Sequence, residues 1–210
     1  MNTDNAPIPA APASKGSSIW ETVRFIVIWL AIIAGIRLFI AQPFIVDGLS
    51  MFPTFNDKEY LIVDEISYRF ENPRRGDVVI FQYPCPNIAT SAGSCPSSLT
   101  FYIKRIIGLP GETVVYKPGQ PVMIKNAANP KGFLLDDSYI SAREDASMYR
   151  EETVTLGADE YFVMGDNRPR SSDSRIWGVL KREKIVGRPL LRLLPISTIS
   201  LFPGEKPQPK

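Results

Sequence analysis

Residues 25–36 read Phe-Ile-Val-Ile-Trp-Leu-Ala-Ile-Ile-Ala-Gly-Ile, with no charge and no strong hydrogen-bonding side chain apart from one indole. Such a run must be covered by protein or by lipid, and that choice constrains everything after it. With Ile19 and Trp20 before it and residues 38–41 after Arg37, it reaches the roughly 20 residues of a membrane-spanning helix. Arg24 and Arg37 lie near its ends, where long cationic side chains snorkel toward head groups. Three readings compete: a cleaved signal peptide, a buried helix of a soluble protein, and an uncleaved anchor over 19–41. Arg37 interrupts the run, and Phe39 and Ala41 make a poor small-x-small cleavage pair. The anchor is the favoured reading on hydropathy.

Beyond Pro43 the pattern changes to short runs rich in Val, Ile, Phe and Tyr. Strands are expected at 44–46, 60–64, 77–82, 101–107, 113–116, 122–125, 152–156, 161–164, 185–187 and 190–194, with a short helix over 181–185. Turn signals such as Pro73-Arg-Arg-Gly76 and Leu109-Pro-Gly111 separate them. The expected fold class is mainly β: an N-terminal transmembrane helix, then antiparallel sheets folded in a barrel-like manner. The expected organisation is a catalytic β domain from 42–112 and 161–203 and a smaller β elaboration over 113–160. Flanking tails at 1–18 and 204–210 are too polar or too rich in Ala and Pro to offset backbone ordering.

The net charge of +2 is too small to argue for nucleic acid, so no nucleic-acid partner is expected. Pairs such as Arg74-Arg75 and Lys181-Arg182 read as solvated faces. Cys85 and Cys95 flank a flexible polar loop that closes easily into a disulfide, which persists in an oxidising compartment. Two free thiols in a reducing cytoplasm are the alternative.

The chain has no histidine. His-ligated zinc, a Cys-His dyad and a Ser-His pair are therefore impossible within it. Ser50 lies in Asp47-Gly-Leu-Ser-Met-Phe-Pro-Thr54, shortly after the apolar segment. On its own it is a serine before a bend. As a nucleophile it would need another base, and the best candidate is Lys104 in Phe101-Tyr-Ile-Lys-Arg-Ile-Ile-Gly108. Such a lysine must be pulled from its ordinary pKa of about 10.4 toward 7–8, chiefly by desolvation among neighbours such as Tyr102, Ile103 and Ile106. Arg105 is expected on the opposite face of its strand.

Two further blocks complete an ordered set: Arg75-Gly-Asp-Val-Val-Ile-Phe81, and Gly165-Asp-Asn-Arg-Pro-Arg-Ser-Ser-Asp-Ser-Arg-Ile-Trp-Gly178. Together the four resemble type I signal peptidases, membrane-bound endopeptidases that remove signal peptides. The resemblance implies Ser50 as nucleophile and Lys104 as general base. It implies Ser171 as a hydroxyl that bonds and orients the lysine, and Asp173 with Arg175 as a bracing pair. Some members carry a serine two residues before the nucleophile; here Gly48 stands there, leaving the oxyanion to backbone N–H groups of Ser50 and Gly48. Phe44, Val46, Met51, Phe55, Tyr102 and Ile103 align with the walls of shallow pockets for small side chains, although all six also suit a hydrophobic core. The implied substrates are signal peptides of exported preproteins, cut after Ala-x-Ala sites, with no metal or organic cofactor. The implied partner surface is the lipid bilayer, with the N-terminus cytoplasmic and the catalytic domain on the periplasmic or external side of a bacterial inner membrane. A specialised Ser-Lys peptidase of the same family, for example one maturing a pilin, and an inactive membrane-tethered peptide-binding module are the alternatives.

Overall fold

The computed structural model describes residues 19–39, 41–84, 100–140 and 150–206. The tail over 1–18, the Cys85–Cys95 pairing and the last residues of the C-terminal tail lie outside them. Helix α1 (Ile19–Phe39) carries the apolar segment. Its side chains from Ile19 to Ile33 are exposed over more than four turns, so none of the described residues covers them. Among the described residues, no helix is long and apolar enough to cross a membrane. Of the segment expected as an anchor over 19–41, residues 19–39 form a helix and Ala41 opens the first strand; spanning is not part of what the structure shows.

Strands follow in chain order: β1 (Ala41–Ile45), β2 (Tyr60–Asp64), β3 (Val78–Gln82), β4 (Phe101–Gly108), β5 (Thr113–Tyr116), β6 (Met123–Lys125), β7 (Phe133–Leu134), β8 (Glu152–Thr155), β9 (Glu160–Met164), β10 (Leu180–Lys181), β11 (Ile185–Leu194) and β12 (Ser200–Leu201). Two one-turn helices, α2 (Ser67–Phe70) and α3 (Ser174–Trp177), sit between them. The larger sheet runs β1-β2-β11-β3-β4-β9-β10, with β12 on β11, and curls into a half-barrel with antiparallel pairing throughout. The smaller sheet runs β7-β6-β5-β8.

The region expected as two runs, 185–187 and 190–194, is one strand. Pro189 has no N–H to give a ladder, and β11 accommodates it with register shifts on either neighbour. The helix expected over 181–185 is only a 3-10 turn at Arg182–Lys184. Arg75 is also not a solvated charge. It is buried, donates to the Ile107 carbonyl and pairs with Glu112.

Strand alternation divides the core. One cluster holds Val79, Phe81, Ile106, Val163 and Trp177. A second joins Ile107, Phe162 and Met164 to Val114, Tyr116 and Ile124 of the smaller sheet. A third, Val46, Met51, Phe55, Leu61 and Val78, lies beneath the turn that follows β1. That turn carries Ser50.

Candidate active site

Met51 and Phe55 are 1% and 0% exposed and pin the turn from below, while its backbone closes through Phe55 N–H to the Met51 carbonyl at 2.9 Å. Ser50 is left half-buried at the edge of an open cavity of about 430 Å³. Phe44, Ile45 and Val46 form one wall and Phe101, Tyr102 and Ile103 the other, with Lys104 and Ser172 also lining it. The Phe44 and Phe101 rings meet edge-on across it at 5.4 Å. Both walls present strand edges. Among the described residues, β1 ends its sheet and β9 pairs with β4 only from Arg105 onward, which leaves one side of residues 101–104 unpaired.

Lys104 Nζ stands 2.8 Å from Ser50 Oγ and 2.8 Å from the Ile103 carbonyl. It lies over the Tyr102 ring at 5.3 Å and is only 3% exposed. Desolvation pulls its pKa down to about 8; Asp173 and Asp166 oppose that shift and Arg175 assists it. A mostly dehydrated amine beside a hydroxyl, with a substantial neutral fraction near pH 8, can accept the hydroxyl proton.

The two residues expected to meet are therefore together. Four expectations need correction. Ser171 is buried, but its Oγ has no hydrogen-bond partner among the described residues, so the expected bond to Lys104 is not made. Its hydroxyl lies instead against Gly165, where a Cβ would come within 2.2 Å of it. Gly48 does not offer a free N–H: that group donates to Asp57 Oδ1 at 2.7 Å, a partner nine residues away. Its φ of +91° explains the glycine, since other residues rarely adopt that backbone. Met51 and Phe55 belong to the core and do not line the cavity, whereas Phe44, Val46, Tyr102 and Ile103 do. The turn after Ser50 sends Met51 and Phe55 inward and leaves Phe52 and Pro53 exposed.

Asp173 and Arg175 do pair. Arg175 Nε and Nη2 each reach an Asp173 oxygen at 2.7 Å, Nη2 also donates to the Arg168 carbonyl, and Asp173 accepts the Gly165 N–H at 3.0 Å. Asn167 was not singled out in the sequence, although it stands in the same block. Its N–H donates to the Ser50 carbonyl and its Nδ2 to the Leu49 carbonyl, both at 3.0 Å. Behind Lys104, Arg105 is fully buried and donates two hydrogen bonds to Asp166, at 2.8 and 2.6 Å.

A serine hydroxyl against a dehydrated lysine, between two free strand edges, has the elements of a nucleophilic hydrolase acting on extended chains. Residues 19–194 match the family described as signal peptidase, peptidase S26. A signal peptidase I of Leptolyngbya laminosa is 36% identical over 192 residues, covering 91% of this chain and 88% of its own. A probable signal peptidase I-1 of a Synechocystis strain is 33% identical over 199 residues, covering 92% and 89%. A signal peptidase I of Bacillus amyloliquefaciens is 32% identical over 191 residues, covering 82% and 84%. The chain belongs to the signal peptidase family, peptidase S26, and is a serine endopeptidase of the signal peptidase I type.

Proposed function

We propose that this enzyme removes N-terminal signal peptides from exported preproteins by cutting after small-x-small sites, with Ser50 as nucleophile and Lys104 as its base. The observation that carries the reading is the 2.8 Å approach of Lys104 Nζ to Ser50 Oγ inside the cavity. An extended substrate pairs with the free edges of β1 and of residues 101–104. Phe44, Val46, Tyr102 and Ile103 leave shallow pockets that exclude large side chains by clash. Ser50 Oγ attacks the scissile carbonyl as its proton passes to Lys104 Nζ. The oxyanion is met by the Ser50 N–H, which has no hydrogen-bond acceptor among the described residues. The ammonium then gives its proton to the leaving amine, and the neutral lysine activates water to hydrolyse the acyl-enzyme.

Helix α1 fastens the enzyme to the bacterial cell membrane in a single pass, with the N-terminus cytoplasmic and the sheets on the outer side. Its exposed apolar side chains from Phe25 to Ile33 support this reading. An enzyme and a signal peptide held in the same bilayer meet at raised effective concentration.

The test is cleavage of an Ala-x-Ala preprotein in detergent. Ser50→Ala and Lys104→Ala should each lose at least about 1000-fold in kcat with the fold intact. Substantial cleavage by either variant would refute the assigned chemistry.

A further inference from the structure

We propose that Arg168 and Asp137 are a positioning pair, through which the segment leaving the smaller sheet holds the nucleophile in place. This rests on the reading of Ser50 and Lys104 given above. Arg168 is 1% exposed, in the 3-10 turn Arg168–Arg170. Its Nε donates to the Gly165 carbonyl at 3.2 Å and so closes the turn 165–168 upon itself. Its Nη2 donates to Asp137 Oδ1 at 3.3 Å, with both side chains 2% exposed. Asp137 follows β7, on a segment tied to the smaller sheet by Leu135 N–H to the Val122 carbonyl and by the burial of Leu135 in the shared core.

The turn that Arg168 closes is the one that grips Ser50. Gly165 packs so tightly that a Cβ there would lie 2.5 Å from the Ser50 carbonyl oxygen. Asn167 holds the Ser50 and Leu49 carbonyls. Asp173 takes the Gly165 N–H, while Arg168 takes its carbonyl, so the glycine is fixed from both sides. The same region reaches the other two arginines of the site. Tyr139 covers the Arg105 guanidinium at 4.4 Å, and Tyr116 of β5 covers Arg175 at 5.6 Å. Neither Arg168 nor Asp137 lines the cavity, so neither meets the substrate there. A buried ion pair is weak evidence for stability, since desolvation offsets its attraction. Its directional contacts to the turn fit orientation better.

The test uses the full chain in detergent, at a temperature where circular dichroism shows every variant folded. Asp137→Asn and Arg168→Lys should each lower kcat about 10- to 100-fold, because small displacements of a nucleophile are that costly. KM should stay within about twofold, and the double variant should be no worse than the poorer single one, as residues acting as a unit are not additive. Arg168→Lys keeps the charge but loses the Nε donor to Gly165. Wild-type kcat in that variant, or lowered melting temperatures with kcat unchanged in both, would overturn the proposal. Ser50→Ala is run alongside; cleavage retained there would instead remove the reading on which the proposal rests.

Discussion

Lys104 and Arg105 are neighbours on β4, 3% and 0% exposed, and their side chains leave opposite faces of the strand. Arg105 makes five hydrogen bonds: two to Asp166, one each to the Gly76 and Gly204 carbonyls, and one to Thr54 Oγ1. Among the described residues, Lys104 hydrogen-bonds only to a hydroxyl and a carbonyl. Burial is the same, and the supply of acceptors differs. A cation given acceptors becomes a brace, and one denied a carboxylate gives up its proton more readily. The denial is built, because the two carboxylates that act on Lys104, Asp173 and Asp166, are each engaged by an arginine.

The largest expected effect is on the braced side. Arg105→Met leaves Asp166 buried and unpaired, which should cost about 3–5 kcal/mol in urea unfolding. Adding Asp166→Leu should recover part of that loss, since removing both partners spares the stranded charge. Full recovery is not expected, because the Gly76 and Gly204 carbonyls still lose their donor. A loss below about 1 kcal/mol for the single variant would break the contrast between the two faces.

On the other face the sign reverses. The unfolded chain keeps the Lys104 proton up to the ordinary value of 10.5, whereas the folded chain releases it above about 8. Between those values the unfolded state binds more protons, so stability rises with pH, and below about 8 the whole cost of burying the charge is present. Lys104→Met should therefore stabilise the fold by up to about 3 kcal/mol at pH 7 and by little above pH 10.5, while losing activity. The same titration predicts the wild-type rate. With Lys104 acting as the base, kcat/KM falls about tenfold per pH unit below 8. Equal melting shifts at pH 7 and pH 10.5, or a flat rate down to pH 5, would sink this account.

What could be read in advance follows from the range of each interaction. Short runs rich in Val, Ile, Phe and Tyr announce β2, β3, β4 and β9, and β3 and β9 prove buried almost throughout rather than on one face. Ser50 and Lys104 stand 54 positions apart, and the link came from the missing histidine and the ordered motif blocks, not from local pattern. The Gly48–Asp57 bond, the Arg105–Asp166 pair 61 positions apart and the Arg168–Asp137 pair 31 apart leave no such trace. A carboxylate reads alike in sequence whether it meets water or a guanidinium. Met51 and Phe55 were misplaced for a related reason. An aligned apolar residue suits a pocket wall and a core equally, and only the path of the turn decides between them.

The finest test concerns the carboxylate on the lysine's side of the site. Asp173 raises the Lys104 pKa and Arg175 lowers it by less, so their pairing only partly cancels at the amine. Asp173→Asn keeps the side-chain shape and an acceptor for the Gly165 N–H, but removes the charge. The lowering effect of Arg175 remains while the raising effect of Asp173 is removed, which disfavours the ammonium. The acid limb of kcat/KM should move down from about 8 by roughly 0.5–1 pH unit, equivalent to about 1 kcal/mol, whatever happens to the plateau rate. An upward shift would mean that Asp173 acts on Lys104 through geometry alone. An unmoved limb beside a lower plateau would mean that the group titrating in the rate is not Lys104.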